Sequence, residues 1–89
     1  MAWRIEFSQA ADRELGKLDQ QIAKRILKVL HGRIAKADDP RAFGEALKGS
    51  KLGEFWKYRV GDYRLICSIE DQLLRILVLR IAHRREVYR

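Results

Sequence analysis

Lys57, Arg59 and Arg64 stand within the run WKYRVGDYRLI at 56–66, and His83, Arg84, Arg85 and Tyr88 crowd the end of the chain in AHRREVYR. Ammonium and guanidinium groups gathered in this way bind the non-bridging oxygens of phosphates, most strongly where negative charge builds during a reaction. Tyrosine, with an ordinary pKa of about 10, handles a proton at neutral pH only when neighbouring cations stabilise its phenolate, and its ring is also a surface on which a base stacks. Histidine is the side chain that titrates near neutrality, which makes His83 a candidate acid or base. One cysteine, Cys67, excludes an intramolecular disulfide framework, and two distant histidines leave no recognisable zinc spacing, so no metal or cofactor is implied.

The charge balance fits a polyanionic target. The 89 residues carry 19 Lys and Arg against 12 Asp and Glu, a net +7, with a pI near 10.0. A hydrophobic content of 47% belongs to a folded domain and excludes a basic disordered tail. Residues 1–47 hold nine bases and seven acids and residues 48–89 ten and five, which places the expected contact in the second half. The opening MAWRIEFSQAADRE has acids where a signal peptide needs an apolar core, and no stretch approaches the ~18 apolar residues of a membrane helix. A single soluble cytoplasmic domain over residues 1–89, with no membrane contact, is expected.

The elements that must position these residues follow from periodicity. Trp3, Ile5 and Phe7 alternate with Arg4 and Glu6 as in a half-buried strand, and Ser8 is placed to cap a helix. Gly16 and Asp19 interrupt that helix; Ile22, Ile26, Val29, Leu30 and Ile34 then carry a second to Asp38-Asp39-Pro40. Residues 41–53 read as an irregular connection whose Leu47 and Leu52 tuck against the core. Phe55–Val60, Tyr63–Ile69 and Leu73–Ala82 read as three further strands. The expected class is α+β: a small, mainly antiparallel four-stranded sheet with an N-terminal helical hairpin on one face, in the order β-α-α-β-β-β.

Glycine at the first position of Gly61-Asp62 permits the positive φ of a type II′ turn, and that turn fixes the register. Val60 faces Tyr63, Arg59 faces Arg64, Tyr58 faces Leu65 and Lys57 faces Ile66, each pair projecting to one side. Trp56, Tyr58, Val60, Tyr63, Leu65, Cys67 and Ile69 then line the helix face, and Lys57, Arg59 and Arg64 the other, with no carboxylate between them. Continued alternation puts Leu74, Ile76 and Val78 on the core side of the last strand, and Arg75 and His83 with the cations. The tail is expected to dock beside that cationic face.

With these motifs on this strand order, the sequence resembles the RelE/ParE toxin superfamily of bacterial toxin–antitoxin systems over nearly its whole length. RelE-like members are ribosome-dependent endoribonucleases that cut mRNA in the A site, and ParE-like members poison DNA gyrase on a similar scaffold. By resemblance Lys57 matches the second lysine of a Lys-x-Lys pair, Arg64 the hairpin arginine, Arg84 the arginine after the last strand and Tyr88 the terminal tyrosine. Arg59 matches a further basic position. The first lysine of the pair falls on Phe55, with Lys51 the nearest replacement, and Arg85 is an alternative to Arg84.

The resemblance implies a metal-independent endoribonuclease acting through the substrate's 2′-hydroxyl, with Lys57, Arg64, Arg84 and Tyr88 catalytic; the near-neutral titration of histidine adds His83 to them as a candidate acid or base. Lys51, Arg59, Arg75 and Arg85 would bind RNA. It also implies a cognate antitoxin, besides the ribosome and mRNA, as partners. A gyrase poison and a non-catalytic basic RNA- or ribosome-binding module are the alternatives.

Overall fold

The computed structural model describes residues 2–47 and 55–87. The elements run β1 (Arg4–Phe7), α1 (Gln9–Gly16), α2 (Gln20–Val29), a π-helical turn (Leu30–Ile34), a 3-10 turn (Pro40–Ala42), β2 (Glu45–Ala46), β3 (Phe55–Val60), β4 (Tyr63–Glu70), a second 3-10 turn (Asp71–Leu73), β5 (Arg75–His83) and α3 (Arg84–Val87). The class is α+β, but the sheet has five strands rather than four, in the order β1-β5-β4-β3-β2. The extra strand, β2, is two residues long and lies in the connection expected to be irregular; two residues carry no alternation to read. β1 pairs parallel with β5, and every other pair is antiparallel.

The helical hairpin forms where its caps place it. Ser8 ends β1 and accepts the Ala11 amide at 3.0 Å, satisfying a donor that the first turn of α1 leaves open. After Gly16 the chain turns, and α2 starts beyond Asp19. Ile26, Leu30 and Ile34 are fully buried with Tyr58, Leu65, Cys67, Ile76 and Val78, so α2 and its π-helical extension lay one apolar stripe on the inner face of the sheet. Burying each such aliphatic side chain stabilises the fold by about 1.5–3 kcal/mol. The π turn is closed by the Ala35 amide donating to the Leu30 carbonyl at 2.8 Å.

The β3–β4 register is the one the turn dictates: Val60 opposite Tyr63, Arg59 opposite Arg64, Tyr58 opposite Leu65 and Lys57 opposite Ile66. Of the two turn residues Gly61 alone takes a positive φ, 58°, as a type II′ turn requires. β5 departs from simple alternation. Ile66 pairs with Arg80 and Cys67 with Val78, which leaves Leu79 as an extra residue, a β-bulge. The cause lies at the outer edge of β5, which β1 leaves unpaired beyond Val78. There Ser8 Oγ donates to the Leu79 carbonyl at 2.8 Å, and Glu14 of α1 accepts the Ile81 amide at 2.8 Å.

The bulge reverses which face each later side chain uses. His83 pairs with Tyr63 on the helix side, its ring edge-on to the tyrosine with centroids 5.5 Å apart, and so does not join the cations as alternation predicted. Leu74 is corrected as well. The 3-10 turn takes up the preceding residues, β5 starts only at Arg75, and Leu74 sits in a left-handed conformation, φ 48°, well exposed. Leu47, expected against the core, is half-buried, and Leu52 lies outside the described residues.

Candidate functional site

The outer face of the β3–β4 hairpin gathers Lys57, Arg59 and Arg64 around an open depression of about 280 Å³, lined also by Gly44 and Glu45. Lys57 and Arg64 are only 6% and 5% exposed, while Arg59 is exposed. Burying such heads requires partners. The Arg64 guanidinium donates to the carbonyls of Gly61 and Tyr63, both at 3.0 Å, so the turn that sets the register also fixes the arginine. Lys57 Nζ lies 3.3 Å from Glu45 Oε1. The expectation of cations without an interleaved carboxylate is therefore corrected, and the residue that sequence reasoning missed is Glu45.

Three contacts place Glu45. β2 pairs with β3 so that Glu45 sits opposite Lys57 and Ala46 opposite Trp56. The Trp56 indole N–H donates to the Phe43 carbonyl at 2.6 Å, and the Tyr58 hydroxyl to the Pro40 carbonyl at 2.8 Å, holding the whole 40–46 segment against β3. Gly44, between them, takes φ 72°, and a Cβ there would lie 2.3 Å from the Lys57 carbonyl. Only glycine brings the segment this close. That glycine directly before an acid was the signal available in the sequence. Burial pushes the Tyr58 hydroxyl well above the ordinary tyrosine range, which keeps it a neutral donor.

The tail meets the same end of the hairpin. Arg84 donates its amide to the Asp62 carbonyl at 2.7 Å and its guanidinium lies 3.8 Å from the Asp62 carboxylate. Both side chains are more than half exposed, so this pair adds little stability. The Gly61-Asp62 turn thus carries Arg64 on one carbonyl and Arg84 on the next. Arg85 is exposed, and its amide donates to His83 Nδ1 at 3.2 Å. Lys51 and Tyr88 lie outside the described residues.

Arg75 is not with the cations. It stands opposite Glu70, at the end of β4 remote from Arg64, and its guanidinium binds both Glu70 and, at 3.1 Å, Glu6 of β1. Hydrogen bonding to Glu70 raises its pKa further, and the same bond holds the Glu70 carboxyl below its usual range. Arg80 is committed likewise, to Glu14 at 2.9 Å. Cys67 faces the core, and burial pushes its thiol up to about 12, which leaves it protonated and unreactive.

An arrangement of three cations and one carboxylate around an open depression can hold a phosphate and exchange a proton beside it. Among the described residues no helix is long and apolar enough to cross a membrane. The comparisons with known proteins agree with the fold. The chain is 30% identical over 89 residues to the toxin RelG of Mycobacterium tuberculosis, covering all of this chain and 99% of that one. It is 28% identical over 87 residues to the toxin RelE of the same organism, covering 98% and 87%. It superposes on the solved toxin–antitoxin complex RelBE2 from Mycobacterium tuberculosis with a TM-score of 0.81, at 26% identity over 93% of this chain and 92% of that chain. Residues 5–88 match the model of the ParE toxin of type II toxin–antitoxin systems. The chain belongs to that toxin family, within the RelE/ParE superfamily.

Proposed function

We propose that this toxin is a ribosome-dependent endoribonuclease that cuts mRNA in the A site and so inhibits translation. The observation that carries the reading is the depression itself: Lys57, Arg59 and Arg64 line it together with a carboxylate, Glu45, which Lys57 contacts. The substrate's 2′-oxygen attacks the adjacent phosphorus and passes its proton to the Glu45 carboxylate. Arg64, Lys57 and Arg59 take up the charge that builds on the non-bridging oxygens. The bond from phosphorus to the 5′-oxygen then breaks, and the leaving oxygen takes a proton from the Tyr88 hydroxyl while the Arg84 guanidinium stabilises the charge on it. The products are a 2′,3′-cyclic phosphate and a 5′-hydroxyl.

His83 and Arg75 receive no role, because one packs edge-on against Tyr63 and the other is neutralised by two carboxylates. A depression this open supplies orientation and charge but does not enclose its substrate, which suits a reaction whose geometry the ribosome completes. By the likeness to a solved toxin–antitoxin complex, a cognate antitoxin with an acidic or amphipathic segment neutralises the cationic end.

Gyrase poisoning is the second reading, supported by the ParE name of the matching family. It needs binding alone and gives Glu45 no task. Purified protein added to a translation extract and to a gyrase supercoiling reaction separates the two. New mRNA 5′-hydroxyl ends are expected in the first, with Arg64→Ala and Tyr88→Phe each greatly slowing their appearance. Blocked supercoiling with intact mRNA would overturn the nuclease, and inhibited translation without new ends would leave a binding module.

A further inference from the structure

The net charge of the first half conceals a segregation. Residues 20–37, QQIAKRILKVLHGRIAKA, hold five of the nine bases of residues 1–47 and none of the seven acids. This run forms α2 and the π-helical turn, and its apolar face is already buried under the sheet, so its charges cannot serve a membrane-inserting helix. Arg25, Lys28, Gly32 and Arg33 line a groove of about 450 Å³ whose other wall is β3, at Arg59 and Val60. The Arg25 guanidinium closes over the hairpin turn, 3.1 Å from where a Cβ on Gly61 would stand. Arg64 binds that turn from its own side.

Three features define what the groove fits. Arg25, Lys28, Arg33 and Arg59 make no ion pair among the described residues, whereas Arg41, Arg75 and Arg80 each hold a carboxylate. Among the described residues the lining contains no carboxylate and no aromatic ring, so it offers phosphate contacts but no platform for splayed bases. Its apolar members are Val29 and the buried Val60, too little to anchor an amphipathic partner helix. Arg25 to Arg33 spans ~12 Å along the helix axis. Arg59 lines both this groove and the depression that holds Lys57 and Arg64, so the two surfaces are joined at one side chain.

We propose that the α2–β3 groove is a second RNA site, which grips the phosphate backbone of structured RNA independently of sequence while the depression holds the strand to be cut. It extends the nuclease reading but does not depend on it. The test measures binding of the full chain to a 2′-O-methyl RNA hairpin, which lacks the nucleophilic hydroxyl and stays intact, across a series of salt concentrations. Losing three phosphate contacts in the triple variant Arg25→Gln, Lys28→Gln, Arg33→Gln should lower the salt slope of log affinity by about two to three and weaken binding at least about tenfold. Gly32→Glu, whose Cβ meets open space, should weaken binding without perturbing the fold.

Unchanged affinity and slope in folded triple variant would overturn the proposal. So would loss of binding to an acidic helical peptide with RNA binding intact, which would assign the groove to a protein partner. A wild-type chain that grips the hairpin through the groove yet yields no new mRNA ends keeps this site and removes the nuclease. Cleavage that persists while the triple variant binds normally does the reverse.

Discussion

The two ends of the sheet use the same residue type for different ends. At the β4–β5 turn Arg75 is clamped by Glu70 and Glu6, and Arg41 by Asp71 through two hydrogen bonds of 3.0 and 2.8 Å. At the β3–β4 turn Arg64 is held by backbone carbonyls, Arg59 is exposed, and among the described residues Glu45 is the one carboxylate lining the depression. A carboxylate partner neutralises a guanidinium as well as fixing it, whereas a carbonyl partner fixes its position without adding a negative charge. The partners that the topology supplies are what distinguish Arg75 from Arg64, the arginine proposed to bind phosphate. Arg64 and Arg75 both sit on strands, and the fold tells them apart.

The sharpest way to break this comparison is to remove one arginine from each end. Arg64→Ala should slow mRNA cleavage on translating ribosomes by about 10²- to 10³-fold, the usual cost of losing one group that stabilises transition-state charge. Arg75→Ala should leave the rate within about threefold while lowering the melting temperature. Equal losses of rate would erase the distinction. Glu45→Gln comes next: it keeps the size of the side chain but removes the proton acceptor, and the single-turnover cleavage rate should fall about 10²-fold.

Smaller effects test the supports. Tyr58→Phe orphans the Pro40 carbonyl and should cost about 1–2 kcal/mol in urea unfolding. The smallest concerns Glu14. Burial pushes its carboxyl up, but the Arg80 and Ile81 hydrogen bonds and the Arg80 and Lys17 charges outweigh this and hold it below 4.5. Asp71 is held low chiefly by its hydrogen bond from Arg41. Groups depressed in the fold stabilise it above their unfolded pKa and lose that contribution as pH falls through the folded value. The melting temperature should therefore drop as pH goes from about 5 to about 3, and Glu14→Gln should flatten the drop.

Strong local signals made most of the fold legible. The Ser8 cap, the break at Gly16 and the Gly61-Asp62 register depend on neighbours in sequence, and all three are observed. The bulge at Leu79 depends on Ser8 and Glu14, some seventy residues away, so alternation carried through it put His83 on the wrong face. Glu45 stayed hidden for a related reason: its position comes from pairing across to Lys57. The cations on α2 are hidden in the balance of nine bases against seven acids over residues 1–47, because acids in other elements offset them.

β1 joins the sheet through β5, with Ile5 beside Ile76. During synthesis the first strand therefore has no sheet partner until β5 has emerged, and the sheet closes by its longest-range pairing. The order of assembly follows. The β3–β4 hairpin with its cations forms from local contacts, while the strand that carries Arg84 into place is the last to be made and the one that locks the first. The sheet is in this way complete only once β5, which pairs with both β1 and β4, has been made.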